Sequence, residues 1–359
     1  MTPRARWQAV LRLEPLDHLP FWAKLNASYP SAQAAPFDGM TLPELHEWMG
    51  SEEHAWFGGG VREKHTRTDY RVTTADGVQR FEYVTPHGTL HRTDVFDTAS
   101  QSWHPREFPI RTRDDIVAMA SWFADVTVEA DTEAQERITA AVAQSRFCTA
   151  TSIGTSPLMD VLQHLAGIDQ GQYLLADYPD EIGELFAAMH RVLMARAEIV
   201  CAGTPGDLVY LVENTSTTLV SPEQFRRYCL PYLSEYAAVA RAHGRQLGLH
   251  MCGHLKALLP DLDTLPVTAF EAFTSPTVGN TTLLDGRTGC PGKCLIGGTN
   301  AAIWTRPARD IIAHLQQQLE ELPHHRGLIL SSAGVMPPAA TPETIKTVVE
   351  WIGEYKARW

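Results

Sequence analysis

Apolar positions along this chain fall into two periods. From about residue 140 onward, short apolar runs alternate with longer stretches in which apolar residues recur every three or four positions. The runs "FCTATSI" (147–153), "LVYLVEN" (208–214), "QLGLHMCG" (246–253), "VTAFEAF" (267–273), "KCLIGGTN" (293–300) and "GLILSSAG" (327–334) are short and rich in apolar or β-branched residues. They read as buried strands. Between them lie helix patterns with their own punctuation. "SPEQFRRYCLPYLSEYAAVARAHG" opens with Ser221 as N-cap and Pro222 at the first helical position and closes on Gly244. "TPETIKTVVEWIGEYKAR" repeats the opening with Thr341, Pro342 and Glu343, and "DYPDEIGELFAAMHRVLMARAEIV" is a further amphipathic helix. Adding "LPFWAKL" (19–25) and "EHAWFGG" (53–59) brings the strands to about eight, the count for a closed barrel of parallel strands with helical crossovers. The expected fold class is therefore α/β, a single (β/α)8 TIM barrel spanning 1–359. An open doubly wound sheet fits less well, because no Gly-rich phosphate turn follows 19–25.

One segment breaks the rhythm. "DYRVTTADGVQRFEYVTPHGTLHRTDVF" (69–96) alternates with period two and carries the turn signals Asp76-Gly77 and His87-Gly88. It predicts a β-hairpin or three-strand meander inserted in the N-terminal third, placed to act as a lid or a docking element.

The 359 residues can bury a large core without disulfides or a structural metal. No apolar run approaches the roughly 18 residues of a membrane span, and the N-terminus has no apolar signal region. The expected setting is cytoplasmic. A formal net charge of −12 argues against nucleic acid and anionic membrane as partners. In that setting the six cysteines are free thiols or ligands rather than disulfides. The pattern fixes no oligomeric state; a homodimer is compatible with it.

In a parallel barrel the chemistry sits where strands end. "GLHMCGH" (248–254) places His250 and Cys252 two apart, on one side of a strand. Glu271 lies on the following strand and Glu213-Asn214 end the preceding one. Imidazole, thiolate and carboxylate together suit zinc, and three protein ligands leave a fourth position open for catalysis. The competing reading is a buried strand that ends in soft side chains, since cysteine often only packs. Gly253 would allow close backbone approach beside the ion. Cys290 and Cys294 precede and begin their strand, so they belong at the opposite end of the barrel. His324-His325 read as an exposed loop. Trp22, Lys24 and Asn26 alternate along the first strand; an inward aromatic and amide there suit a ligand pocket, and core packing explains Trp22 equally well. No G-x-S-x-G elbow surrounds Ser152 or Ser156.

The stretches "VTPHGTLHRT", "IGTSPLMDVLQHLAG", "LVENTSTTLVSPEQFRRYCLPYL", "LHMCGH", "TSPTVGN", "LIGGTNA" and "SSAGVMPPAATPETIKTVVEWI" resemble the uroporphyrinogen decarboxylase superfamily, and within it the zinc-dependent, corrinoid-linked methyltransferases. The decarboxylases themselves carry an Arg-rich stretch after the first strand. Here it reads "FWAKLNASYPSAQ", without arginine, and "SSAGVMPP" lacks their histidine. The resemblance implies a zinc-dependent methyltransferase that moves a methyl group between a small-molecule donor or acceptor (methyl ether, amine or thiol) and a corrinoid carried by a separate protein. It matches His250 and Cys252 to the family's His-x-Cys ligands and Glu271 to an acidic ligand. Glu213 and Asn214 would orient substrate or tune the zinc from behind its ligands. The family's last cysteine ligand falls near Ala333, where this chain has none. Two rival readings stay open: a metal-free decarboxylase or lyase on the same barrel, and a non-catalytic accessory protein.

Overall fold

The structure, a computed structural model, describes residues 1–98 and 102–359. Its centre is a sheet of eight parallel strands: β1 (Phe21–Trp22), β2 (His54–Trp56), β3 (Cys148–Thr155), β4 (Leu208–Val212), β5 (Leu247–His250), β6 (Ala269–Phe273), β7 (Cys294–Gly298) and β8 (Leu328–Ser331). Their order is β1-β8-β7-β6-β5-β4-β3-β2. The ring closes just before β2, where Trp22 pairs with Glu52 and the Glu52 N–H donates to the Phe21 carbonyl at 2.8 Å. All eight runs expected from the sequence are strands of this (β/α)8 barrel.

Period-two alternation sorts the strand residues into two cores. Phe21, Ile153, Val209, Leu211, Leu249, Phe270, Leu295 and Leu330 face outward and pack under the helices. Trp22, Cys148, Ala150, Leu208, Tyr210, Ala269, Cys294, Ile296 and Ile329 face inward and fill the barrel. Gly248 belongs to the inward phase, and it leaves room for Tyr210: a Cβ there would lie 2.9 Å from a ring carbon. The helix Pro3–Leu11 closes the floor with Trp7, Val10 and Leu11. There the buried Arg6 pairs with both Glu52 and Asp17.

The helix signals hold in their caps but not always in their lengths. Ser221 accepts from the Gln224 N–H in a reciprocal capping box, Thr341 caps Pro342–Glu354, and Gly244 takes φ +66°. The stretch after Ser221 forms two helices, Pro222–Tyr228 and Leu230–Ala242, parted at Cys229. Pro231 has no N–H to offer the Arg227 carbonyl, so the helical ladder lapses there. His325 is not exposed: it is fully buried, with Nε2 on the Leu319 carbonyl at 3.0 Å and Nδ1 accepting from the Arg358 N–H at 2.7 Å.

The inserted segment is larger than its alternation indicated. It is a four-stranded antiparallel sheet, Asp69–Ala75, Val78–Thr85, Gly88–Asp97 and Ser102–Glu107, paired in chain order. Asp76 and Gly77 both adopt positive φ, the tight hairpin turn the sequence called for. The fourth strand escaped the reading because it holds Pro105 among charged residues. A proline is tolerated there because the strand is an edge. Trp122 on the helix Arg113–Asp125 packs against Tyr83 and donates to the Asp69 carbonyl at 3.2 Å, fastening the sheet to that helix. No helix among the described residues is long and apolar enough to cross a membrane.

Candidate functional site at the barrel mouth

Six consecutive strands carry a left-handed residue at or just past their C-terminal ends. These are Gly154, Asn214, Gly253, Ala272, Gly298 and Ala333, with φ of 125°, 38°, 134°, 61°, 93° and 60°. Gly154 and Ala272 sit at register shifts within their strands, and the other four turn the chain away at or past the strand end. For Asn214, Ala272 and Ala333 the conformation costs about 1–2 kcal/mol apiece, strain of a kind that gathers at functional sites.

His250 ends β5 and pairs in register with Glu271 on β6. Both share the inward phase, two residues beyond Gly248 and Ala269, so they form a polar layer above the apolar filling. His250 Nδ1 is in direct contact with Glu271 Oε2. Lys24, two residues past the inward Trp22, brings its ammonium 2.8 Å from Glu271 Oε1 and 3.4 Å from His250 Nδ1. Burial of Glu271 works against its charge, but Lys24 and His250 outweigh it and hold the carboxyl well below its ordinary range. Burial likewise opposes charge on His250, and Glu271 overcomes it, so the ring favours its protonated form. Cys252 is the one exposed cysteine of the six. Its thiol donates to Asn214 Oδ1 at 3.2 Å, and Asn214 Nδ2 donates to Gln163 Oε1 at 3.3 Å. Gln163 lies on a wide π-helical turn, Val161–Leu165, a feature often found beside sites.

The fold thus brings His250, Cys252, Glu271 and Asn214 to one end of the barrel. Glu213 goes elsewhere. It is wholly buried, accepts from the Thr215 hydroxyl at 2.5 Å, and lies within hydrogen-bonding reach of Ser156 and of Cys229 in the helical layer. Burial raises its pKa to about 7 against those hydrogen bonds. Gly253 is needed for a reason the sequence reading did not name: a Cβ there would meet Ser216 Cβ at 2.6 Å. Ala333 is buried just past β8 with no ligating group. Cys294 starts β7 level with Ala269, deep in the barrel and away from His250. Trp56 ends β2 half exposed, its ring 5.2 Å from Tyr210. Sequence reasoning missed Lys24 as a partner of Glu271. Its spacing from Trp22 was the available signal.

Could these residues hold a metal? Their donors, an imidazole nitrogen, a thiol sulfur and a carboxylate oxygen, have the chemistry zinc takes. Among the described residues, no three His, Cys, Asp or Glu side chains are already gathered as a metal cage. The fit is therefore one of donor chemistry, with Lys24 closed upon two of the three groups.

A closed parallel barrel with a charged, partly buried cluster at its C-terminal mouth is the layout of a barrel enzyme. Residues 155–355 match the family model described as Uroporphyrinogen decarboxylase (URO-D). The chain belongs to the uroporphyrinogen decarboxylase family. Among solved structures, a methyltransferase from Methanosarcina mazei is similar over 99% of each chain, with a TM-score of 0.60 and 14% identity. A putative vitamin-B12-independent methionine synthase from Listeria monocytogenes aligns over 93% of this chain and 95% of its own, at TM-score 0.43 and 13% identity. At such identity the first likeness speaks to the fold alone, and the second adds no argument. No curated protein matches the chain in sequence.

Proposed function

We propose that the chain is a zinc-dependent methyltransferase, with His250, Cys252 and Glu271 as the metal-holding set and a separate corrinoid protein as the other carrier of the methyl group. One observation carries the reading: an imidazole and a carboxylate in contact, from β5 and β6, and a thiol from the turn after β5 lie at the end of the barrel where barrel enzymes do their chemistry. The shared fold of the Methanosarcina mazei methyltransferase supports it. Zinc bound there would supply Lewis acidity, which favours a thiolate or improves the leaving group of a methyl ether or amine. The chain's own part is positioning. Asn214, steadied by Gln163, holds the Cys252 thiol at the rim. Glu271 contacts the His250 ring and orients it. Trp56 offers an exposed aromatic face to the apolar part of a small substrate. Glu213 acts from behind the strand, anchoring the turn through Thr215.

A second reading has its own observation. The unbroken contact Lys24–Glu271–His250 is a proton-transfer array in its own right, suited to a metal-free decarboxylase or lyase. Elemental mass spectrometry of the purified protein and its Cys252→Ala variant separates the two. About one zinc per chain, lost in the variant together with activity, supports the first. No metal in either protein, even after zinc is added back, sinks it and leaves the proton-transfer reading in front.

A further inference from the structure

We propose that Lys24 occupies the cation position of this site when no metal is bound, and thereby sets how tightly His250, Cys252 and Glu271 take one up. The inference rests on the zinc reading above and goes beyond it, since Lys24 is not among the expected ligands.

The geometry comes from three strands. Lys24 follows β1, His250 ends β5 and Glu271 lies on β6, so barrel closure alone unites residues 226 and 247 positions apart. A single ammonium touches Glu271 Oε1 and lies 3.4 Å from the same ring nitrogen that meets Glu271 Oε2. Glu271 has a side-chain exposure of 3%. A carboxylate that dry needs a compensating cation in every state of the protein. Without metal, Lys24 and the His250 ring share that role, with Lys24 seated on Oε1. A divalent ion drawn to Glu271 meets an ammonium already seated on one oxygen, and must displace it or accept a like charge at short range. The lysine is built to yield. Its side chain is 18% exposed at the open end of the barrel. In the same pose its ammonium lies 5.4 Å from the Trp22 ring centroid, an aromatic face the charge keeps beside it on leaving Oε1. A four-carbon stem can make that swing, where a shorter side chain could not. Lys24 thus keeps Glu271 and His250 ordered between metal-binding events, at the cost of weaker binding.

The test is zinc affinity, read by competition with a chromophoric chelator on the full chain. The comparison is wild type, Lys24→Leu and Lys24→Arg. Removing the charge in Lys24→Leu is expected to tighten zinc binding roughly tenfold or more, while Lys24→Arg stays near wild type. Lys24→Gln, which keeps a donor for Glu271, takes the place of the leucine variant if the latter does not fold, and shifts the same way. Zinc bound by the neutral variants no more tightly than by wild type overturns the role of Lys24 and leaves the zinc site standing. Zinc bound by none of these proteins overturns the site and the inference together.

Discussion

Glu213 offers a measurement whose size follows from the fold. Its carboxyl is fully buried and its pKa is raised from 4.5 to about 7, chiefly by burial. The folded protein therefore binds a proton at Glu213 that the unfolded chain has released between those two values. Stability must fall as pH rises through this window, because the native state holds more protons than the unfolded one. Such a rise in pKa corresponds to about 3 kcal/mol, most of which falls between pH 5 and pH 8. Glu213→Gln removes the titration and keeps an oxygen for the Thr215 hydroxyl. Glu213 Oε2 makes no well-aligned hydrogen bond, so the new amide N–H groups carry a penalty at every pH. That penalty is constant, and the slope remains readable. Urea unfolding of both proteins at pH 5, 6, 7 and 8 is expected to show the variant gaining about 2–3 kcal/mol on wild type across the series. A difference that stays flat with pH would refute the reasoning, and would mean that Glu213 is hydrated or paired in the folded state.

Three further outcomes follow from the geometry. Arg6→Met leaves the buried Glu52 carboxylate without its cation, at a cost of about 3 kcal/mol. Burial has already raised the Glu52 pKa to about 7, so the loss should be larger at pH 8 than at pH 5 in the same unfolding assay. Gly248→Ala drives a methyl into the Tyr210 ring and is expected to cost about 1–3 kcal/mol by overpacking, seen as a lower melting temperature. Asp125 accepts from the N–H groups of Thr66, Arg67 and Thr68 at 2.9 Å each. Asp125→Ala is expected to speed hydrogen exchange in residues 66–68 while leaving β5 and β6 protected.

Much of this protein was legible along the chain because strand and helix periods are local properties. The eight runs were short, apolar and separated by capped helix patterns, and a barrel of parallel strands accommodates that order better than an open sheet. His250, Cys252 and Glu271 stood out because strand ends in such a barrel converge, so position in sequence carried position in space. What failed locally failed for physical reasons. Pro231 divides a helix that its amphipathic pattern runs through, and Pro105 hides an edge strand. Glu213 and Asn214 are adjacent, and the left-handed turn at Asn214 sends one side chain behind the wall and the other to the rim. Asparagine takes such a turn more readily than most residues, but nothing in the local pattern shows that this one does. Only closure of the barrel, by the short β1 meeting β8 on one side and Glu52 on the other, brings Lys24 onto Glu271. Sequence determined which elements form and which donors reach the mouth. Tertiary structure decided which charges share a dry site, because contact between residues more than two hundred positions apart depends on closure and not on pattern.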